Sequence, residues 1–570
     1  MSNPSVKAFV PIHFIKRSAY NCAKPKNPKQ LTDSITTLAM IAICKSVLLI
    51  AFLSATFAVA PIHAQDESNQ INLVKIEISN KGNSLVGGDD CVVDFDPDTT
   101  VDYFPDKYIK PVIKSYSDVD IYGDKFVPHN TTDYLEITYH NTYKIVTNKH
   151  QDPPLHYLLY QCGTIPPQDV IDDPNNNFQL VLPVPHKGGL AISQTPQIPY
   201  IEMLGLRKEV IAYVGDPQYV TSPCLDYMLG DNDDNVTMTE IVHSYNDTEQ
   251  LQLTEDFLQR NPNAIIFSGP TNNVVGDRVM VASATQERTN VATFDWISFY
   301  ASLYNLEGEA SRIASKMQAS YDCSSDVARD VAEQQRSLSG ETEENKPVIL
   351  WANYISWQNL GWSVAECPTW DAAYYCEYAT HCDAHILSRP EGFGYNKTWG
   401  SPTVYWYLSD EEFLEMGRDA DVLIYSGSDF DKAYELKNET LDQIKAVQNK
   451  QVFDTLGQGP SAWHEQRYAE YDVVGLDMCD VVGRVNPNGS KHQRRWFRNV
   501  YDEPVGSLGS CNVPEELSQP FVPPEHFECV RLETESNDES AGAVVSHGLS
   551  TWVAHYLFVL VVTVCCTMVA

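Results

Sequence analysis

The residues able to do chemistry gather in one stretch. Six of the ten tryptophans (Trp351, Trp357, Trp362, Trp370, Trp399 and Trp406) fall between positions 351 and 406, interleaved with Tyr354, Tyr374, Tyr375, Tyr395, Tyr405 and Tyr407. Indole and phenol rings combine a broad apolar face with one polar tip and order at little conformational cost, so they suit a bulky, partly apolar ligand. The same rings also serve as core packing. Farther on, the turn at Gly457 and Gly459 leads into Trp463-His464-Glu465-Gln466-Arg467. The Arg467 guanidinium matches a chelate's oxygens or a carboxylate in fork geometry, with Glu465 and Glu470 as alternative partners. His381 and His385 stand at metal-ligand spacing if that segment is helical. Their neighbours Cys376 and Cys382 favour a disulfide-pinned turn with solvated histidines instead. Glu287 precedes a helical pattern, where a carboxylate either orients a ligand or caps the helix.

Motifs for covalent or metal catalysis are missing. Gly459-Pro460-Ser461-Ala462-Trp463 lacks the second glycine of a nucleophile elbow. No P-loop, no GxGxxG after a strand and no HExxH occurs. The many Asp and Glu residues leave a glycosidase-type carboxylate pair open without singling one out. The expectation is a binding protein, not an enzyme, with no covalently held cofactor.

Positioning these residues requires a scaffold, and its organising stretch is 286–337. At a 3.6-residue period Trp296, Phe299, Tyr300, Leu303, Leu306, Ala310, Ile313, Met317 and Tyr321 share one stripe, with Asn290 or Thr293 as cap and a break expected at Gly308. Strand-like runs flank it: Val210–Val214, Ala264–Ser268 and Val279–Ser283 before, Val348–Ala352, Val422–Tyr425 and Gln451–Asp454 after. Helical patterns alternate with them, which predicts parallel sheets covered by helices. The reading is two doubly wound α/β lobes, 134–289 and 347–485, joined by one long backbone helix within 290–338, with a ligand cleft between the lobes. An ordinary crossover helix within one large domain is the alternative. Ligands in such lobes bind beyond the carboxyl ends of the strands, which directs Trp351, Tyr354 and Trp357 to the cleft.

The chain of 570 residues carries a formal net charge of −36, which argues against nucleic acid and anionic bilayer surfaces as partners. Residues 1–64 read as an N-terminal extension and secretory signal: an apolar run at Ser46–Ala60, then Pro61–Ala64 with cleavage near Ala64. A start at Met40 gives a compact signal, whereas from Met1 the leading region is unusually long; a signal anchor is the alternative. Residues 65–133 form an acidic extension and 502–540 a Pro-, Glu- and Ser-rich stalk. Positions 541–570 have the layout of a GPI-attachment signal, because small residues precede an apolar tail without a following basic residue. A single C-terminal transmembrane helix is the alternative. These ends place the protein at the outer face of the plasma membrane on a lipid anchor. Between them lie ten of the 14 cysteines, with no CxxC pair, so several disulfides are expected. Asn130, Asn235, Asn246, Asn396, Asn438 and Asn488 each open an N-glycosylation acceptor.

Several stretches carry a resemblance to a known family. Glu287 with Phe294-Asp295-Trp296-Ile297-Ser298-Phe299, then Leu306-Glu307-Gly308-Glu309-Ala310, then Lys346-Pro347-Val348-Ile349-Leu350-Trp351 resemble the middle of helical-backbone substrate-binding proteins. That class delivers iron–siderophore complexes and cobalamin to ABC importers. Ile198–Leu206, Asp410–Tyr425, Val447–Phe453 and Trp463–Arg467 resemble its helix–strand units and the loop before its last helix, so the likeness spans 134–485. It implies a protein whose ligand is a ferric hydroxamate siderophore or similar iron chelate; with the anchor-like end, the expectation is a monomer at the cell surface. Trp351, Tyr354, Trp357, Trp362, Trp463, His464, Arg467 and Glu287 would hold that ligand, and a separate transporter or endocytic receptor would complete uptake. A secreted hydrolase and a surface adhesion protein without small-ligand binding are the alternatives.

Overall fold

The computed structural model describes residues 91–97, 103–104, 131–230, 238–241, 246–270, 274, 276–339, 346–367, 374–397, 405–487, 492–522 and 529–532. The expected signal and anchor segments, Trp370, Trp399, Asn130, Asn235 and Asn488 lie outside them. Among the described residues no helix is long and apolar enough to cross a membrane.

The first lobe holds two sheets. Strands β1 (Leu135–Tyr139), β2 (Tyr143–Asn148), β3 (Leu155–Gln161) and β4 (Phe178–Val184) lie side by side in chain order. Burial alternates along β2, so one face packs on the core while the other stays open. The second sheet, in the order β7 (Thr239–Ile241), β6 (Val210–Val214), β5 (Leu190–Ile192), β8 (Ile265–Ser268), β9 (Val279–Val281), is parallel throughout. Its β8 is buried at every position, as a parallel strand covered on both faces must be.

The second lobe is centred on β10 (Val348–Ile355), β15 (Val422–Tyr425) and β16 (Val452–Asp454), which are mutually parallel. Antiparallel β11 (Gly361–Val364) and β17 (Arg498–Asn499) close its edges, and β12 (His385–Ile386) pairs with the start of β10. A two-stranded ribbon, β13 (Tyr395–Lys397) with β14 (Tyr405–Tyr407), stands beside it. The helix Asp410–Gly417 begins on a capping box between Ser409 and Glu412. Among the described residues no strand of one lobe pairs with the other, so the expected two-lobe α/β architecture holds.

The connection is one helix, Glu307–Ser339, whose 33 residues span about 50 Å. The break comes before it. Asn290–Asp295 and Ile297–Ser302 form separate short helices, and Asn305 turns the chain in the left-handed region at φ 55°. Gly308, expected to be the break, lies inside the long helix's first turn. Asn305 is held because its amide donates to Gln161 Oε1 (2.9 Å) and its Oδ1 accepts from Lys144 Nζ (3.0 Å). Lys144 also pairs with Glu307, both side chains buried, fixing the helix start to the first sheet.

One hydrophobic cluster runs through both lobes and the long helix, from Phe104 past Phe299, Tyr321 and Trp351 to Leu517. The C-terminal segment reinforces it. After β17 the chain crosses Leu456–Gly457, where Gly506 N–H donates to Leu456 O (3.0 Å), and returns to the first lobe. There Cys511 is bonded to Cys224, Leu517 is buried, and Arg207 donates to the Glu516 and Gln519 carbonyls (2.7 and 2.9 Å). Cys529 then bridges to Cys323 on the long helix. The described residues of the 502–540 stretch expected as a stalk (502–522 and 529–532) are thus strapped along the protein, for a reason composition does not reveal: Cys511 and Cys529 pair far back in the chain. Cys91–Cys162, Cys367–Cys376 and Cys382–Cys479 use the remaining described cysteines.

Candidate ligand-binding site

The carboxyl ends of β10, β15 and β16 surround a cavity of about 380 Å³. β10 delivers Asn353, Tyr354, Ser356 and Trp357; β15 leads into Ser426, Gly427, Ser428 and Asp429; β16 leads into Thr455 and Leu456. Successive left-handed residues, Gln358 and Asn359 at φ 52° and 53°, turn β10 into β11 and leave Trp357 52% exposed at the mouth. Gly427 is required by close approach: a Cβ there would lie 2.4 Å from Asn353 Oδ1 and 2.7 Å from the Tyr425 ring. Ser461, at φ 68°, starts the short helix Ala462–Glu465, which sets Trp463 and His464 into the wall.

The wall is mostly neutral. Among the described residues Asp429 is the one carboxylate lining it, and its Oδ1 accepts from the Tyr425 hydroxyl (3.1 Å). Lys437 Nζ lies 5.0 Å from the centre of the Tyr354 ring while donating to Asp410 Oδ2 (2.6 Å). His464 is held below the ordinary imidazole pKa, first by the protein packed around it and then by the Arg467 charge. The imidazole offered to a ligand is therefore neutral near pH 7.

Of the residues expected to hold a ligand, Tyr354, Trp357, Trp463 and His464 meet at this cavity and four others do not. Trp351 is 4% exposed, stacked on Tyr375 (5.4 Å) and edge-on to Phe497 (6.1 Å), so it fills the core. Trp362 is fully buried, lying flat on Phe413 at 3.9 Å with its Nε1–H donating to Asp410 Oδ1 (2.8 Å). Arg467 is buried behind Trp463, donating to the Trp463 carbonyl (2.9 Å) and the Tyr468 hydroxyl (3.0 Å), with the Tyr374 ring 4.3 Å away. Among the described residues no carboxylate pairs with it; ring faces and dipoles stabilise its charge. Glu287 is buried too, accepting from the Asp133 and Tyr134 N–H groups (3.0 and 3.1 Å) and from Trp296 Nε1 (2.9 Å). Thr289, not Glu287, Asn290 or Thr293, caps the following helix.

The histidine pair also separates. His381 ends the helix Tyr374–His381, stacked on Tyr321 at 3.7 Å and 2.7 Å from Ser324 Oγ, and burial lowers its pKa to about 3. His385 is exposed on β12, so the two share no helix face. Of the glycosylation acceptors, Asn246, Asn396 and Asn438 are exposed.

Two buried carboxylates tie the lobes together: Glu465, which the sequence offers only as a partner for Arg467, and Glu377, which it does not single out. Glu465, fully buried, accepts from the Thr221 and Ser222 N–H groups (both 2.8 Å) of the first lobe. Burial pushes its pKa up to about 8, helped by the neighbouring Glu202 carboxylate and opposed by those two donors. Glu377 accepts from Asn290 N–H (2.6 Å), and burial raises its pKa to about 7. For Glu377 the only local cue is an acidic residue among Tyr375, Cys376, Tyr378 and Ala379.

The chain matches no protein-family profile. It matches no curated protein either. Among solved structures, a periplasmic heme-binding protein from Pseudomonas aeruginosa is 10% identical at a TM-score of 0.37, covering 54% of this chain and 96% of that one. A possible iron-binding periplasmic solute-binding protein from Staphylococcus epidermidis is 13% identical at 0.34, covering 52% and 99%. A periplasmic vitamin B12-binding protein of Vibrio cholerae is 13% identical at 0.32, covering 52% and 96%.

Proposed function

We propose that this protein captures an iron chelate, a ferric hydroxamate siderophore or a close analogue, at the cell surface, and passes it to a separate transporter or endocytic receptor. The observation that carries the reading is the cavity at the carboxyl ends of β10, β15 and β16. Its volume of about 380 Å³ falls within the range of small-molecule sites. The Tyr354 and Trp357 faces suit the apolar arms of such a chelate. The hydroxyls of Ser356, Ser426, Ser428 and Thr455 are donors for its carbonyl and N–O oxygens. A neutral wall suits an uncharged ferric trihydroxamate better than a polyanionic chelate. The GPI anchor, the monomeric state and the uptake partner belong to the same proposal.

Tryptophan fluorescence titrated with a ferric trihydroxamate, its iron-free form, heme and cobalamin tests it. The expected result is quenching by the ferric hydroxamate at roughly micromolar concentration, abolished by combining Trp357→Phe with Tyr354→Ala. Quenching by none of the four at that concentration overturns the proposal. It would favour the adhesion reading, which the burial of Trp351 and Arg467 among the protein's own side chains supports.

A further inference from the structure

The open face of the β1–β4 sheet carries a second cavity that the reading above does not use. Its strand registers set Glu136, Thr147, His156 and Phe178 in one row across all four strands. At ordinary strand spacing that row is about 14 Å long. The alternate residues Val146 and Tyr157 are fully buried on the core face, whereas Thr147, His156 and Phe178 are half-buried beneath a cavity of about 520 Å³. Ile145 and Phe178 give it an apolar floor, and Pro154 stands on its rim.

The polar groups around that floor are mixed and mutually compensated. Glu136 Oε2 and Lys149 Nζ pair at 2.5 Å, so neither an anion nor a cation finds a lone countercharge. Thr147 Oγ1 lies 3.0 Å from His156 Nδ1, and among the described residues His156 Nε2 has no protein partner. Asn176 donates its Nδ2 to Val170 O (2.8 Å), which leaves its Oδ1 to accept from another molecule. The Thr138 hydroxyl completes the set. A purely apolar guest would strip water from these groups without replacing it. A peptide strand has nothing to pair with here, because the backbone groups of a sheet's flat face are already bonded within the sheet.

We infer that this face binds a neutral saccharide. A pyranose combines one apolar C–H face, which fits the Phe178 ring, with a rim of hydroxyls that donate and accept. Those hydroxyls meet the imidazole, amide oxygen and threonine hydroxyls that ring the floor. The half-open shape suits units within a longer glycan chain.

The test uses the full chain with its own N-glycans removed, so that no attached sugar competes. Neutral trisaccharides of glucose, mannose and N-acetylglucosamine are examined by saturation-transfer NMR and calorimetry, beside a sulfated trisaccharide. At least one neutral sugar is expected to bind with a Kd of about 1 mM or tighter, and Phe178→Ala and His156→Ala each to weaken it at least about tenfold. Both variants should keep the wild-type melting temperature and the wild-type chelate titration, which separates this site from the second-lobe cavity whichever of the two proposals fails. No binding of any neutral sugar, preference for the sulfated one, or binding unchanged in Phe178→Ala and His156→Ala overturns the inference.

Discussion

Replacing Glu465 with glutamine tests the link between the lobes. The carboxyl is fully buried, its pKa is raised from 4.5 to about 8, and it accepts two backbone N–H groups from the opposite lobe. In the unfolded chain it ionises near 4.5, whereas the folded protein keeps its proton until about pH 8. The folded state therefore binds more protons between those values, and stability falls as pH rises through that window. The contribution is fully present below pH 4.5 and gone once pH passes about 8. At ~1.4 kcal/mol per pH unit, the wild type should lose about 3 to 4 kcal/mol from this group between pH 5 and pH 8. Glutamine cannot ionise, but it places an amide N–H where one backbone donor needs an acceptor, at a pH-independent cost of about 1 to 2 kcal/mol. Denaturant unfolding at pH 5 and pH 8 should show the variant weaker than wild type at pH 5 and equal or stronger at pH 8. Glu377 tilts both proteins in the same direction, so the decisive quantity is the difference between their pH dependences. Parallel curves for wild type and E465Q would refute the reasoning.

Three further outcomes follow from the same structure. Lys144→Met leaves Glu307 buried without its cation and should cost about 3 to 5 kcal/mol in thermal or denaturant unfolding, with most of it restored by adding Glu307→Met. Removing the Cys224–Cys511 bridge, which closes a sequence separation of 287, should cost roughly 4 to 5 kcal/mol and expose the segment around Leu517 to proteolysis. Gly427→Ala puts a methyl group 2.4 Å from Asn353 Oδ1, so the loop must shift and the chelate titration should weaken at least about tenfold.

Sequence periodicity located elements whose neighbours agree with local pattern. Val422–Tyr425 reads as an apolar run because both faces of that strand are covered, and the structure has a strand there with every residue buried. The long helix was legible from its stripe, but its start was not: a positive-φ asparagine held by Lys144 and Gln161 is a tertiary arrangement. Trp357 and Trp362 show the same limit at the site. Both flank the β10–β11 turn, yet one is 52% exposed and the other fully buried. The difference comes from Phe413 and Asp410, about fifty positions downstream, which stack on the Trp362 ring and accept its N–H. The Arg467 fork matches a chelate's oxygens by type, but Trp463 and Tyr468 accept its N–H groups inside the protein.

On the proposed function, these contacts also bear on how the chelate would enter. A binding protein whose lobes close over a guest needs a boundary where packing can separate, yet here the boundary is tied by packing, hydrogen bonds and a disulfide. The hydrophobic cluster crosses it, Glu465 and Glu377 bond across it, and the C-terminal segment runs from β17 of one lobe to Cys224 of the other. Opening it would strand two buried carboxylates and strain the disulfide-tied strap together, so large closure is disfavoured and the second-lobe cavity must be preformed. The Trp357 turn and the loop at Gly427, both within one lobe, bound that cavity. A preformed site saves ordering cost and limits ligand size to what those two loops admit.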